Sequence, residues 1–156
     1  MNVIEQALSI AKATRSNLLN ALEGIDENIL NRIPEGFNNN LIWNAGHIVV
    51  TQQLLCYGLS GLPLRIPAEV VERYRKGSRP TQPVSVAEIS QIRTWLAESL
   101  DWIREDVAAN RFQQFKTYPT SYGYTLTSFV DAVVFNNVHE GMHYGYIIAL
   151  KKHLGV

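Results

Sequence analysis

The sequence predicts an all-α protein, a four-helix bundle forming a single domain over residues 1–156. Apolar residues recur at three- and four-residue intervals over several long stretches, which is the signature of helices that bury one face. No segment sustains the alternation of a strand, and there is no internal repeat. Clusters of Gly, Pro and Asn divide the chain into pieces of helical length. At 156 residues it is long enough to bury about two-thirds of its unfolded surface without staples.

The first helix is carried by Val3, Ala7, Ile10, Ala11, Thr14, Leu18, Ala21, Leu22 and Ile25, and should end near Gly24. Pro34, Gly36 and the run Asn38, Asn39, Asn40 then break the chain and offer capping side chains. They start a second helix over about residues 40–57. Its circumference is mostly apolar, so it belongs inside. Gly58, Gly61 and Pro63 stop it, and a crossover of more than twenty residues follows, long for a compact domain unless it has structure or a task. Pro67 opens a short amphipathic helix within it. Ser85 and Glu88 form the S-x-x-E pattern of a capping box ahead of Ile89, Ile92, Leu96, Leu100, Ile103 and Val107, placing a third long helix over about residues 86–109. The aromatic and turn-rich stretch 111–125 reads as an ordered loop, with room for a short extended pair, packed over something. The fourth long helix starts near Thr125 or Thr127 and runs to Gly155.

Fourteen Lys and Arg balance fourteen Asp and Glu. Nothing in this charge draws the protein to nucleic acid or an anionic membrane, so a small, uncharged or mixed-charge partner is expected. No apolar run approaches the roughly 20 residues of a membrane span, and the first residues lack the pattern of a secretory signal. The lone cysteine, Cys56, sits in an apolar helical stretch and reads as a small buried hydrophobe. A soluble, cytoplasmic protein is the expectation.

The chemistry concentrates in histidines. His139 and His143 are four apart, so on a helix they project only about 40° apart from successive turns, and both can reach one ion. The same face is expected to continue through Asn136, Tyr146 and Leu150. His47 lies mid-way along the most apolar helix, in a polar stripe with Asn40, Asn44 and Thr51. Two imidazoles buried side by side resist protonation through desolvation and mutual repulsion, and a metal removes that conflict. Three neutral nitrogens suit Zn, Ni, Fe or Cu rather than Mg or Ca and leave a position open, as in catalytic sites. His47, His139 and His143 are therefore the expected metal ligands. Gly46 and Gly141 each weaken a helix by roughly 1 kcal/mol, so close backbone approach or access to the site is the expected motive. His153, in the Lys-rich last turn, is expected at the surface.

Residues 139–143 also spell H-E-x-x-H, the zinc and general-base motif of metalloproteases. The metzincin extension would need Gly at 146 and His at 149, where the chain has Tyr146 and Ala149. Only thirteen residues follow His143, and no sheet edge is predicted to hold a peptide, so proteolysis is disfavoured. Glu140 remains a candidate base or acceptor beside a metal-bound water. Its simpler reading is a solvated glutamate a quarter-turn off the ligand face.

With these residues in place, the chain resembles the DinB/YfiT-like superfamily of metal-binding four-helix bundles. The resemblance rests on N-N-L-I-W-N-A-G-H-I at 39–48, N-N-V-H-E-G-M-H-Y-G-Y-I at 136–147 and Y-G-Y-T-L-T-S before the last helix. It implies an up-down-down-up bundle, a Zn or Ni site on His47, His139 and His143, and frequent homodimers. Relatives include transferases that use low-molecular-weight thiols and thiol-dependent isomerases. The leading expectation is thus a metal-dependent transferase acting on small molecules with a thiol co-substrate. Asn44, Thr51, Asn136 and Tyr146 would orient ligands, and the loop 112–124 would shape the pocket. A metal-dependent hydrolase using Glu140 and a non-catalytic, stress-related scaffold are the alternatives. The site is more legible than the reaction, because a fold hosts many chemistries.

Overall fold

The computed structural model describes residues 2–156. Helix α1 spans Val3–Leu22 and begins where the Asn2 side chain accepts the Glu5 N–H at 2.9 Å. It buries Leu8, Ala11, Leu18 and Leu22 and, against expectation for a charged side chain, Arg15. A five-residue helix α2, Glu27–Asn31, follows and plugs Leu30 into the core. So short an element holds too little periodicity to be read in the sequence.

Helix α3, Leu41–Gln53, starts where Asn40 accepts the Trp43 N–H at 2.8 Å. Every residue of it except Thr51 is buried, as its apolar circumference requires. It runs on through one wide π turn, Leu54–Gly58, so that together they occupy the expected span. The crossover contains α4, Ala68–Tyr74. Helix α5, Val86–Ala108, opens with Ser85 accepting the Glu88 N–H. The Glu88 carboxylate does not close the box; it takes the Tyr74 hydroxyl and the Arg73 guanidinium instead, fastening α4 to α5.

A small antiparallel hairpin follows, β1 (Tyr118–Pro119) paired with β2 (Thr125–Leu126). Helix α6 runs Phe129–Leu154, with Ser128 as its cap and Gly155 in the left-handed conformation ending it. Its start is later than expected because Thr125 is paired in β2 and the backbone and hydroxyl of Thr127 both donate to Asp131. Among the described residues the fold is thus all-α apart from this hairpin. The four long helices close a ring in the order α1, α6, α3, α5 around a shared apolar core that includes Leu18, Ile42, Ile48, Ile92 and Ile147. Among the described residues no helix is long and apolar enough to cross a membrane.

Candidate metal centre

The three histidines meet where α3 faces α6. Their candidate ligand nitrogens all lie within 4.8 Å of one another, and the Nε2 atoms of His47 and His139 are 3.2 Å apart. Each of two rings has its other nitrogen tied off. His47 Nδ1–H donates to the Tyr74 carbonyl at 2.6 Å, and its ring stacks on Trp43 at 4.7 Å. His143 Nδ1–H donates to Asn44 Oδ1 at 2.8 Å. Asn44 is itself held, because its amide N–H groups go to the Asn40 carbonyl and to Asn39 Oδ1, which leaves only Oδ1 to face His143. These bonds fix the tautomer and free Nε2 as a donor, the usual arrangement behind a metal-binding imidazole.

The placement of Tyr74 follows from a glycine. A Cβ on Gly46 would lie 2.6 Å from the Tyr74 ring, so only glycine lets α4 come close enough for its carbonyl to reach His47. The expected close approach is real at Gly46. At Gly141 it is not: that glycine is exposed, with nothing near its would-be Cβ.

Burial keeps the rings neutral. Desolvation, with the charges of His143 and His47 added, pushes His139 down to about 2. Desolvation and His47 push His143 down to about 4. Desolvation also lowers His47, against the opposing pull of its bond to Tyr74. Neutral imidazoles are the form that binds metal. The His47–His139 spacing also fits, since adjacent nitrogens about 2.0–2.1 Å from a tetrahedral zinc sit roughly 3.3 Å apart. The residues present can hold a divalent metal ion.

Beside the triad opens a cleft of about 720 Å³. His47, Thr51 and His139 give it polar lining, and Leu54, Leu59, Phe135 and Met142 contribute apolar wall. Tyr118, Thr120, Ser121 and Tyr122 of the hairpin region border it, so part of the loop expected to shape a pocket does so. Thr51 Oγ1 stands 3.3 Å from His47 Nε2. Lys76, which sequence reasoning passed over, also borders it, as does Lys116 of the loop 112–124, a residue not singled out within that loop. They lie in connections far apart in the chain, and no local pattern marks them.

Two pocket candidates lie elsewhere. Asn136 precedes His139 by three positions, a turn of about 60° around the helix, and that angle carries it into the bundle interior, where its amide donates to Glu140 at 2.6 Å. Tyr146 packs edge-on against Phe37 at 5.8 Å. Glu140 is corrected more sharply, since it is neither solvated nor turned to the histidines. It is fully buried, and Arg15 holds both its oxygens through Nε at 3.2 and 3.0 Å and Nη2 at 2.7 Å. Cys56 is buried as expected, its thiol pushed up to about 12 by burial. His153 is exposed, resting against Phe37.

An all-helical protein whose interior gathers three imidazoles able to hold a metal ion is the class these features define. The chain belongs to the DinB superfamily, whose family model matches residues 10–147 and so takes in all three histidines. Among curated proteins, none matches the chain.

Proposed function

We propose that the protein is a divalent-metal-dependent transferase that acts on small molecules with a thiol co-substrate, with Zn or Ni as its ion. The observation that carries this reading is the opening of two of the three histidines, His47 and His139, onto a large cleft. An ion that merely tied helices together would need a closed coordination sphere and no such space beside it. The chemistry an ion supplies there is Lewis acidity, which lowers the pKa of a thiol it binds.

The chain's own part is to position and exclude. Tyr74 and Asn44 hold His47 and His143 with Nε2 toward the site. Thr51 presents a hydroxyl next to His47, within reach of a bound ligand. The apolar wall strengthens electrostatic interactions inside the cleft by excluding water. Hydrolysis with Glu140 as base is less favoured, because Arg15 and Asn136 already engage that carboxylate.

The reading includes a cytoplasmic location and a homodimer. Val130, Val134, Val138 and Ile148 expose one apolar face of α6 that a second copy would cover, and light scattering of the purified protein tests this. The function is tested by incubating zinc- or nickel-loaded protein with a thiol and a chlorodinitrobenzene electrophile. The expected result is conjugation that saturates in thiol and vanishes on chelation and in His47→Ala. Rates that neither saturate nor respond to chelation would overturn the reading.

A further inference from the structure

The chain as a whole is electrically neutral, but the cleft beside the histidines is not. Among the described residues its only formally charged neighbours are Lys76 and Lys116, and no Asp or Glu borders it. Six arginines are answered: Arg15 by Glu140, Arg73 by Glu88, Arg75 by Glu72, Arg65 and Arg111 by Asp106, and Arg104 by Glu5 and Asp101. Among the described residues neither cleft lysine has such a partner. Two unanswered ammonium groups around a pocket without a carboxylate make a positive potential there, and a pocket walled by apolar surface focuses it.

The two lysines approach from different parts of the fold. Lys76 follows Tyr74, whose carbonyl holds His47, and so enters at the histidine end. The backbone N–H of Lys116 donates to the Leu59 carbonyl at 2.7 Å. Leu59 caps the π turn that continues α3, twelve positions beyond His47 and on the order of 18 Å along the axis, which puts Lys116 at the other end of the cleft. Between them run Leu54, Leu55 and Leu59 of one helix and Phe135 and Met142 of another. A volume of about 720 Å³ suits a molecule rather than a lone ion.

We infer that the cleft takes an amphipathic anion: a small molecule with an apolar body along the leucine wall and a carboxylate at its far end, facing Lys116. The assignment rests on the proposed function only for what happens at the histidine end, where the thiol or its acceptor sits beside Lys76. It replaces the uncharged or mixed-charge partner that overall composition suggests, because net charge averages away the charge of a site.

The experiment is calorimetric titration of metal-free and zinc-loaded protein with four probes: octanoate, octanol, and the same two molecules bearing a terminal thiol at the opposite end. Each acid should bind about threefold more tightly than its alcohol at low salt, from Lys116 facing the carboxylate, the upper part of the range for an exposed ion pair. Added salt should shrink the difference. Lys116→Gln should bring the ratio close to one, whereas Lys76→Gln, at the histidine end, and Lys12→Gln, an exposed lysine on α1 away from the cleft, should leave it near threefold. Equal binding of acid and alcohol, no binding of either, or a preference that survives in Lys116→Gln overturns the inference. The proposed function fails separately: thiol-bearing probes that gain nothing over their parents on zinc loading would sink it, while the acid-over-alcohol ratio would stand.

Discussion

Replacing Arg15 with Met should be one of the most costly single changes in this protein. Arg15 is 2% exposed and makes five hydrogen bonds. Three go to the Glu140 carboxylate, one to the Leu96 carbonyl at 3.2 Å and one to Ser99 Oγ at 2.7 Å. Methionine fills most of the space, so the change is chiefly the loss of the guanidinium. It leaves a fully buried carboxylate with Asn136 as its remaining partner. Breaking such a pair from one side costs about 3–5 kcal/mol, a large share of the roughly 5–15 kcal/mol that holds a domain together. With a urea dependence of about 2 kcal/mol per molar, the unfolding midpoint of metal-free protein, followed by circular dichroism, should fall by roughly 2 M. The double variant Arg15→Met with Glu140→Leu removes both charges and should return to within about 2 kcal/mol of wild type, since what remains is mainly the unpaired Asn136 amide. A single variant that loses less than about 1 kcal/mol, or a double as unstable as the single, would refute the picture of a desolvated pair.

Three further outcomes follow from the geometry. Gly46→Ala pushes a methyl group into the Tyr74 ring and should cost about 1–3 kcal/mol of stability while weakening metal binding through His47. Gly141→Ala meets nothing and should stabilise α6 by about 0.5–1 kcal/mol; thermal melts of the two variants should move in opposite directions. Asn44→Ala releases the His143 ring and should weaken zinc affinity about 10- to 100-fold, measured by competition with a chromogenic chelator, with far-ultraviolet dichroism unchanged. The stability of the metal-free protein should depend on pH through the triad. All three folded-state values lie below the ordinary 6.5, His143 at about 4 and His139 at about 2. The unfolded chain therefore binds protons first, and stability is complete above about pH 6.5 and lost as pH falls toward those folded values. Urea midpoints that rise on acidification from pH 7 to pH 5 would contradict this sign.

The sequence announced the triad because each histidine carried a local signal. His139 and His143 had helical spacing, and His47 stood in a polar stripe on a helix that was otherwise apolar. The long helices were legible for a related reason, since caps such as Asn40 and Ser85 act within three residues of themselves. Glu140 was misread because α6 is apolar nearly all round, so periodicity does not say which polar residue faces inward. Its partner Arg15 lies 125 positions away on α1, beyond the reach of any local pattern. Asn136 and Tyr146 were assigned to the histidine face from spacing alone, but α6 packs between α1 and α3, and a turn of about 60° exchanges one neighbour for the other. The cleft lysines were invisible for the same reason as Arg15. Their meaning comes from the absence of carboxylates around a space that only the folded chain encloses.

The claim at the centre of this account is that His47, His139 and His143 hold one divalent ion, and metal stoichiometry tests it most directly. Protein purified without chelator, alongside His47→Ala, His139→Ala and His143→Ala, should be dialysed against micromolar zinc or nickel and then metal-free buffer, and analysed by plasma mass spectrometry. The expected result is close to one ion per wild-type chain and loss of most of that ion in each variant, with helical dichroism retained. Equal metal content in wild type and all three variants would contradict it.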